Sequence, residues 1–170
     1  MALYEPKWAN FQMSSGTTLF GAIANREPAD RVAIAMRLLD DGADPAVVNE
    51  KSDNVNVLHV LFSQHEHDFE LEAPLLRRLL EAGADPNLRS PRFNTPLVMF
   101  VAMPSRGEEA RPFYDPLFAH PNLDFNVVVV NSPERVTTLR ERVLATPETS
   151  KPEFRRRMLE YEAARGLTGD

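Results

Sequence analysis

The chain has 170 residues, 43% of them hydrophobic, with 19 Lys and Arg against 25 Asp and Glu and no cysteine. That length supports one domain with a real core or a short repeat array, and the missing cysteine excludes disulfides, thiolate metal sites and a cysteine nucleophile. The net charge of −6 is concentrated in residues 1–85, where 14 acidic residues face 7 basic ones, a balance that repels phosphate backbones and speaks against nucleic-acid binding.

In chain order, the first residues, MALYEPKWANFQ, contain no apolar run, and no stretch of the sequence is apolar enough to span a membrane. A soluble, cytoplasmic protein is therefore expected. Residues 1–13 are expected to cover the front of the fold, with Trp8 and Phe11 folded onto the first helix. Thr17 is placed to cap that helix, which carries Leu19 and Ile23 inward. A second amphipathic helix follows, with Ile34 and Leu38 on one face, and ends at Gly42. The same order recurs: Asn56 as cap, Leu58 and Leu61 as core, then Leu76, Leu79 and Leu80 before Gly83. Thr95 with Pro96 marks a third start, since proline at the first helical position loses no needed N–H. Leu97, Val101, Leu117 and Phe118 are its core positions. Val127–Val130 reads as a strand. Thr137 is the fourth candidate cap, ahead of Leu139, Val143 and an amphipathic stretch from Phe154 to Ala164.

The recurrence is periodic. Arg37-Leu38-Leu39-Asp40-Asp41-Gly42-Ala43-Asp44-Pro45 matches Arg78-Leu79-Leu80-Glu81-Ala82-Gly83-Ala84-Asp85-Pro86 at an offset of 41 residues, and Leu117 to Asn126 is a degraded third copy. The cap leucines stand at 19, 58, 97 and 139. The motifs Thr95-Pro96-Leu97-Val98 and Leu79-Leu80-Glu81-Ala82-Gly83-Ala84-Asp85-Pro86-Asn87 resemble the T-P-L-H start and L-L-x-x-G-A-D-x-N finish of ankyrin repeats. The resemblance implies an all-α, ankyrin-like solenoid of about four helix-turn-helix repeats with hairpin connections and capping ends. Its units would run over 14–52, 53–91, 92–133 and 134–165, in a single domain. The period of 39–42 residues exceeds the family's ~33. The extra length falls mainly between the two helices of each unit, at Ser63–Glu72 and Pro104–Arg111, and such inserts often occupy a binding face. Phe100 stands where the family prefers a small residue, which suggests looser packing there.

Candidate chemistry is sparse. His65 and His67 invite a metal hypothesis, but their spacing matches no established ligand pair, and an exposed polar connection is the plainer reading. His59 falls on the family's structural histidine. Asp44, Asp85 and Asp124 share one repeat position and are best explained by hydrogen bonds to turn amides. Arg155, Arg156 and Arg157 read as a solvated helix face. No phosphate loop, nucleophile elbow or dinucleotide fingerprint occurs. No enzymatic activity, cofactor or metal is expected.

The resemblance instead implies a protein-binding module that is a monomer when free, and a small, acidic, cysteine-free chain of this kind resembles the ankyrin-type immunity proteins encoded beside bacterial toxins. A basic toxin would be gripped by acidic residues and hairpin tips: Glu50, Asp53, Gln64, His65, Glu66, Asp68, Glu70, Arg89, Arg92 and Phe93, with Glu72 in the same acidic run. A scaffold or adaptor for endogenous proteins is the alternative, and a metal protein or enzyme built on His65 and His67 is the third.

Overall fold

A computed structural model describes residues 5–13, 16–103 and 108–167. Residues 104–107, the first half of the second expected insert, lie outside that description, as do 14 and 15 at the start of the first expected unit.

Local chemistry sets the elements. Among the described residues, helices follow one another in four pairs, the second member longer in all but the third: α1 (Thr18–Ile23) with α2 (Pro28–Asp40), α3 (Val57–Phe62) with α4 (Phe69–Glu81), α5 (Pro96–Ala102) with α6 (Tyr114–Ala119), and α7 (Leu139–Ala145) with α8 (Pro152–Ala164). Two antiparallel hairpins accompany them: β1 (Gln12–Met13) with β2 (Gly16–Thr17), and β3 (Val128–Asn131) with β4 (Val136–Thr138). The fold is thus mixed α/β, and the two small sheets overturn the all-α ankyrin-like solenoid expected from the repeats. The return segments pair their backbones because their N–H and C=O groups leave the helices with no other partners. Asn49 with Val55 and Ser90 with Asn94 form single antiparallel bridges at the two intermediate positions.

Two rows result. α1 packs on α3 and α3 on α5, while α2 packs on α4, α4 on α6 and α6 on α8. The leucines expected in the core are there: Leu19, Leu38, Leu58, Leu61, Leu76, Leu79, Leu97, Leu117 and Leu139 are buried. Ile34 is not. It is 45% exposed, because the inward face of α2 is Arg31, Ala35, Leu38 and Leu39. Trp8 and Phe11 are also exposed, so the N-terminal cover is made by Ala9 and by Thr18 Oγ1 donating to the Trp8 carbonyl at 2.8 Å. Phe100 does not loosen its surroundings. It is buried at the centre of an aromatic seam, 5.3 Å from the Phe62 ring and about 6 Å from Phe113, Tyr114 and Phe154.

The caps hold with two amendments. Asn56 Oδ1 accepts from the Leu58 and His59 amides, and Thr95 Oγ1 from Val98. Thr17 precedes α1 but its hydroxyl makes no capping bond, and at α7 the cap is Thr138, not Thr137, because Glu141 closes a reciprocal box with it. After α4, the Gly83 amide donates to Leu80 and the Ala84 amide to Leu79, the double closure that needs positive φ at the glycine, here +103°.

The turn aspartates behave alike. Asp44, Asp85 and Asp124 each accept the amide two residues on at 2.8 Å. Asparagines then tie one unit to the next. Asn10 bonds Gly42 and Asp44, Asn87 bonds Asn122 and Asp124, and Asn56 Nδ2 donates to Asp85 O at 2.7 Å. His59 is buried between units, with Nδ1 accepting from the Asn56 amide and Nε2 facing the Asn94 carbonyl at 3.1 Å. Burial holds its pKa below the ordinary 6.5, against smaller opposing effects of Asn94 and Asp85.

Two expectations follow for stability. Gly83→Val should lower the unfolding free energy by about 1 kcal/mol or more, because a β-branched residue resists positive φ. An unchanged melting curve would show that the helix stop does not depend on that conformation. Because His59 is kept neutral in the fold, the unfolded chain takes up its proton first as pH falls below the ordinary 6.5. Stability present above that pH should decline on acidification to pH 5.5. In urea titrations at both pH values, His59→Gln should reduce that decline, and the burial-lowered His120 should account for part of what remains.

Candidate functional site

The loop joining α3 to α4 is where charge, aromatic surface and concavity meet. It follows the Ser63 end of α3, whose other end carries the Asn56 cap and the preceding return segment. The expected partner-binding residues are therefore split. Glu50 and Asp53 stand at one end of α3 with Arg89, Arg92 and Phe93 of the next return segment, while Gln64, His65, Glu66, Asp68 and Glu70 stand at the other end. The first group mixes signs, and Arg92 spends its guanidinium over the Phe93 ring at 5.1 Å.

The second group rests on a buried charge pair that the sequence reading did not identify. Arg31 of α2 is fully buried, and its guanidinium meets Glu72 of α4, which is equally buried. Arg31 Nε also donates to the Asn25 carbonyl at 3.0 Å, and its two terminal nitrogens donate to the carbonyls of Arg26 and Glu66 at 3.2 Å. On the other side, Glu72 Oε2 accepts from the Asp68 amide at 3.0 Å and lies 2.9 Å from His67 Nδ1. Glu72 is therefore a support for the loop and not part of an acidic contact surface, because burial removes it from any partner. A repeat-register signal did exist. The 41-residue offset that superposes the two glycine stops also places Arg31 over Glu72.

The histidines separate too. His65 is exposed, but the His67 side chain is only 5% exposed, which corrects the reading of this stretch as an exposed polar connection. Its ring stacks on Phe69 with centroids 4.9 Å apart and meets the edge of Phe113 at 5.9 Å. The Glu72 contact and the aromatic sandwich draw the ring in. Gln64 is half-buried and donates from Nε2 to the Val60 carbonyl at 2.9 Å, and Asp68 caps α4 by accepting from the Leu71 amide at 3.0 Å. Glu66 and Glu70 keep exposed side chains. Among the described residues, no group of three or more His, Asp or Glu side chains is arranged to hold a metal.

Two clefts flank the His67–Phe69 pair. One, of about 780 Å³, lies between the start of α4, the Glu108–Pro112 segment, Asp115 of α6 and Arg157 of α8. Five carboxylates line it, from Asp68, Glu70, Glu108, Glu109 and Asp115, against the cations of Arg111 and Arg157. Arg157 is itself committed to Asp115 and Glu153. The other, of about 450 Å³, has Met99, Ala102 and Met103 as an apolar wall and Gln64, His65 and Glu109 among its polar groups. The basic run of α8 is likewise answered locally: Arg156 is paired with Glu153 and Glu160, and Arg155 donates to the Leu144 carbonyl at 3.2 Å. Beneath the larger cleft the Tyr114 phenol is pushed well above its ordinary range by burial and by the neighbouring Glu108 carboxylate.

No protein-family model matches the chain, and no curated protein matches it. Among solved structures, a functionally unknown protein from Leptotrichia buccalis C-1013-b is similar at a TM-score of 0.71 and 21% identity, over 98% of this chain and 85% of that one. At that identity the likeness shows a shared fold alone. Among the described residues, no helix is long and apolar enough to cross a membrane.

The buried pair sets a stability test. Glu72→Gln leaves the Arg31 charge without its counter-ion in the interior and should cost about 3–5 kcal/mol in urea unfolding. Glu70→Gln, on the exposed side of the same turn, should change stability by less than about 0.5 kcal/mol. Equal losses from the two would show that the interior pair does not hold the turn.

Proposed function

We propose that this protein is a protein-binding module of the immunity type, which grips a basic partner protein and blocks its working face. The observation that carries the reading is the carboxylate-lined cleft beside the α3–α4 loop. Such a surface speeds encounter with a basic protein and discriminates against acidic ones. The excess of acidic residues in the first half of the chain has the same sign. The ankyrin-like motifs support a binding role, and the small apolar cleft next to the acidic one offers contact area to a side chain that enters.

Within this reading the contact surface is the loop face: Gln64, His65, Glu66 and Glu70, extended by Glu108 and Glu109. The tip residues Glu50, Asp53, Arg89, Arg92 and Phe93 lie at the far end of α3 and are left to secondary contacts. The module acts sterically, by occupying a surface that the partner needs, and it resides in the cytoplasm of the cell that makes it.

The test is capture of partners by the intact protein from its native cell, followed by charge reversal at the two exposed carboxylates. A basic protein should be retained by the parent, and Glu66→Lys with Glu70→Lys should weaken it at least tenfold, with affinity falling as salt rises. Capture of no basic protein, or unchanged affinity after charge reversal, would sink the proposal.

A further inference from the structure

Not every cation of this acidic protein is answered by a carboxylate. A third cleft, of about 260 Å³, lies between the C-terminal end of α5, α7 and the start of α8, and its charged groups are Arg142, Lys151 and Arg155 with no Asp or Glu among them. Neighbouring arginines show the contrast: Arg140, Arg156 and Arg157 hold carboxylates at 3.0, 2.6 and 2.7 Å. The Arg142 side chain is exposed and makes no hydrogen bond or ion pair with another described residue. Arg155 Nη1 donates to the Leu144 and Thr146 carbonyls at 3.2 and 3.4 Å, which position the guanidinium without neutralising it. The carboxylate it pairs with, Glu148, stands 3.8 Å away on a side chain that is 86% exposed, where water screens most of the attraction. Lys151 Nζ donates to the Val101 and Met103 carbonyls at 3.0 and 3.3 Å, which closes the end of α5 and uses two of its three N–H groups. Its backbone is held at φ +145°, a conformation that side chains rarely adopt, so the fold fixes this residue against its own preference. Burial pulls the Lys151 pKa below the ordinary 10.5, and Glu108 opposes the shift to a smaller extent.

We propose that this cleft binds a phosphate group, with the Arg142 and Arg155 guanidinium forks and the remaining Lys151 N–H as its donors. Charge and shape both select that ligand. Three cations facing one concavity match a dianion better than a monoanion, and guanidinium forks fit the paired oxygens of phosphate. The three donors come from α7, from the loop before α8 and from α8 itself. A tetrahedral group offers oxygens to all three directions, whereas a planar carboxylate is served from one edge. The apolar wall of Val101, Val143 and Phe154 lowers the local dielectric and strengthens each contact. The volume lies just under the ~300–1,000 Å³ of sites for larger organic ligands, so it admits a phosphate with little attached. The start of α8 is not the source of this site, because Pro152 has no N–H and the Glu153 amide already donates to Glu108 Oε1 at 2.9 Å. The inference goes beyond the protein-binding reading and uses no residue of the α3–α4 loop.

The experiment titrates the intact protein at pH 7.5 with inorganic phosphate, phenyl phosphate and acetate, the ionic strength being held constant with sodium chloride. Binding is followed by NMR at the Ser150 and Lys151 amides and at Arg142 Nε. Inorganic phosphate should give saturable shifts at all three, and acetate should bind at least tenfold more weakly. Phenyl phosphate distinguishes the source of the group: tighter binding than the free ion points to a monoester whose organic part rests on the Phe154 wall, and equal binding points to free phosphate. Arg142→Gln should weaken phosphate about tenfold in a chain whose melting curve without phosphate matches the parent, since this side chain has no partner to lose. Arg156→Gln removes the same charge from the outer face of α8 and should leave the affinity within about twofold. Shifts that grow without saturating, an equal response to acetate, or equal losses in the two variants would overturn the assignment.

Discussion

Two opposite charges removed from water hold the rest of this protein in place. Taking Arg31 and Glu72 into the interior costs several kcal/mol per ion unless every donor and acceptor is answered. Here they are answered. The guanidinium serves three backbone carbonyls besides the carboxylate, and the carboxylate collects the Asp68 amide and the His67 ring. The three carbonyls come from both ends of the problem: Asn25 and Arg26 precede α2, and Glu66 lies in the loop before α4. One interior pair therefore ties the entry to α2, the α3–α4 loop and the first turn of α4 into a single body. The position of His67, and through it Phe69, is a consequence.

A second set of constraints keeps the helix pairs in register. Apolar packing is non-directional and would tolerate sliding of one pair along the next. The asparagine bonds remove that freedom. Asn10, Asn56 and Asn87 each reach backbone atoms 29 to 35 residues away. Their partners are the aspartate turns after Gly42, after Gly83 and around Asn122, so the turn that ends one unit becomes the docking point of another. Toward the C-terminal end the work passes to rings. The seam from Phe62 through Phe100, Tyr114 and Phe154 to Phe118 and Tyr161 is continuous, and the Tyr161 hydroxyl donates to the His120 carbonyl while accepting the Leu123 amide.

These constraints also decide which face can work as a binding surface. Exposed acidic side chains alone are ordinary on a protein of this charge. What distinguishes the loop face is an open carboxylate rim beside the stacked His67 and Phe69 rings, with an apolar slot alongside. The return segments at the other end of α3 have mixed charge, and their most suggestive pair, Arg92 with Phe93, is satisfied internally.

The helices, their caps and their stops were legible because they are local. A capping oxygen lies two or three residues from the amide it serves, a glycine stop needs only its own φ, and an Asx turn closes over two residues, so Asn56, Thr95, Gly83 and Asp85 declare themselves in one dimension. The 41-residue offset further indicated that similar helix pairs follow one another. What could not be read is what depends on a neighbour distant in sequence. Ile34 and Arg31 lie on the same helix, α2, and hydropathy alone would bury the isoleucine, yet the interior takes the arginine because Glu72 waits there. Thr138 displaces Thr137 as cap because β3 pairing sets where the strand ends. Phe100 packs tightly because three rings from later segments converge on it. The same cause moved Glu72 and His67 out of the solvent and into the interior. Charge and polarity are properties of a residue, but burial belongs to the set of segments that surround it, and that set exists only once the chain has folded.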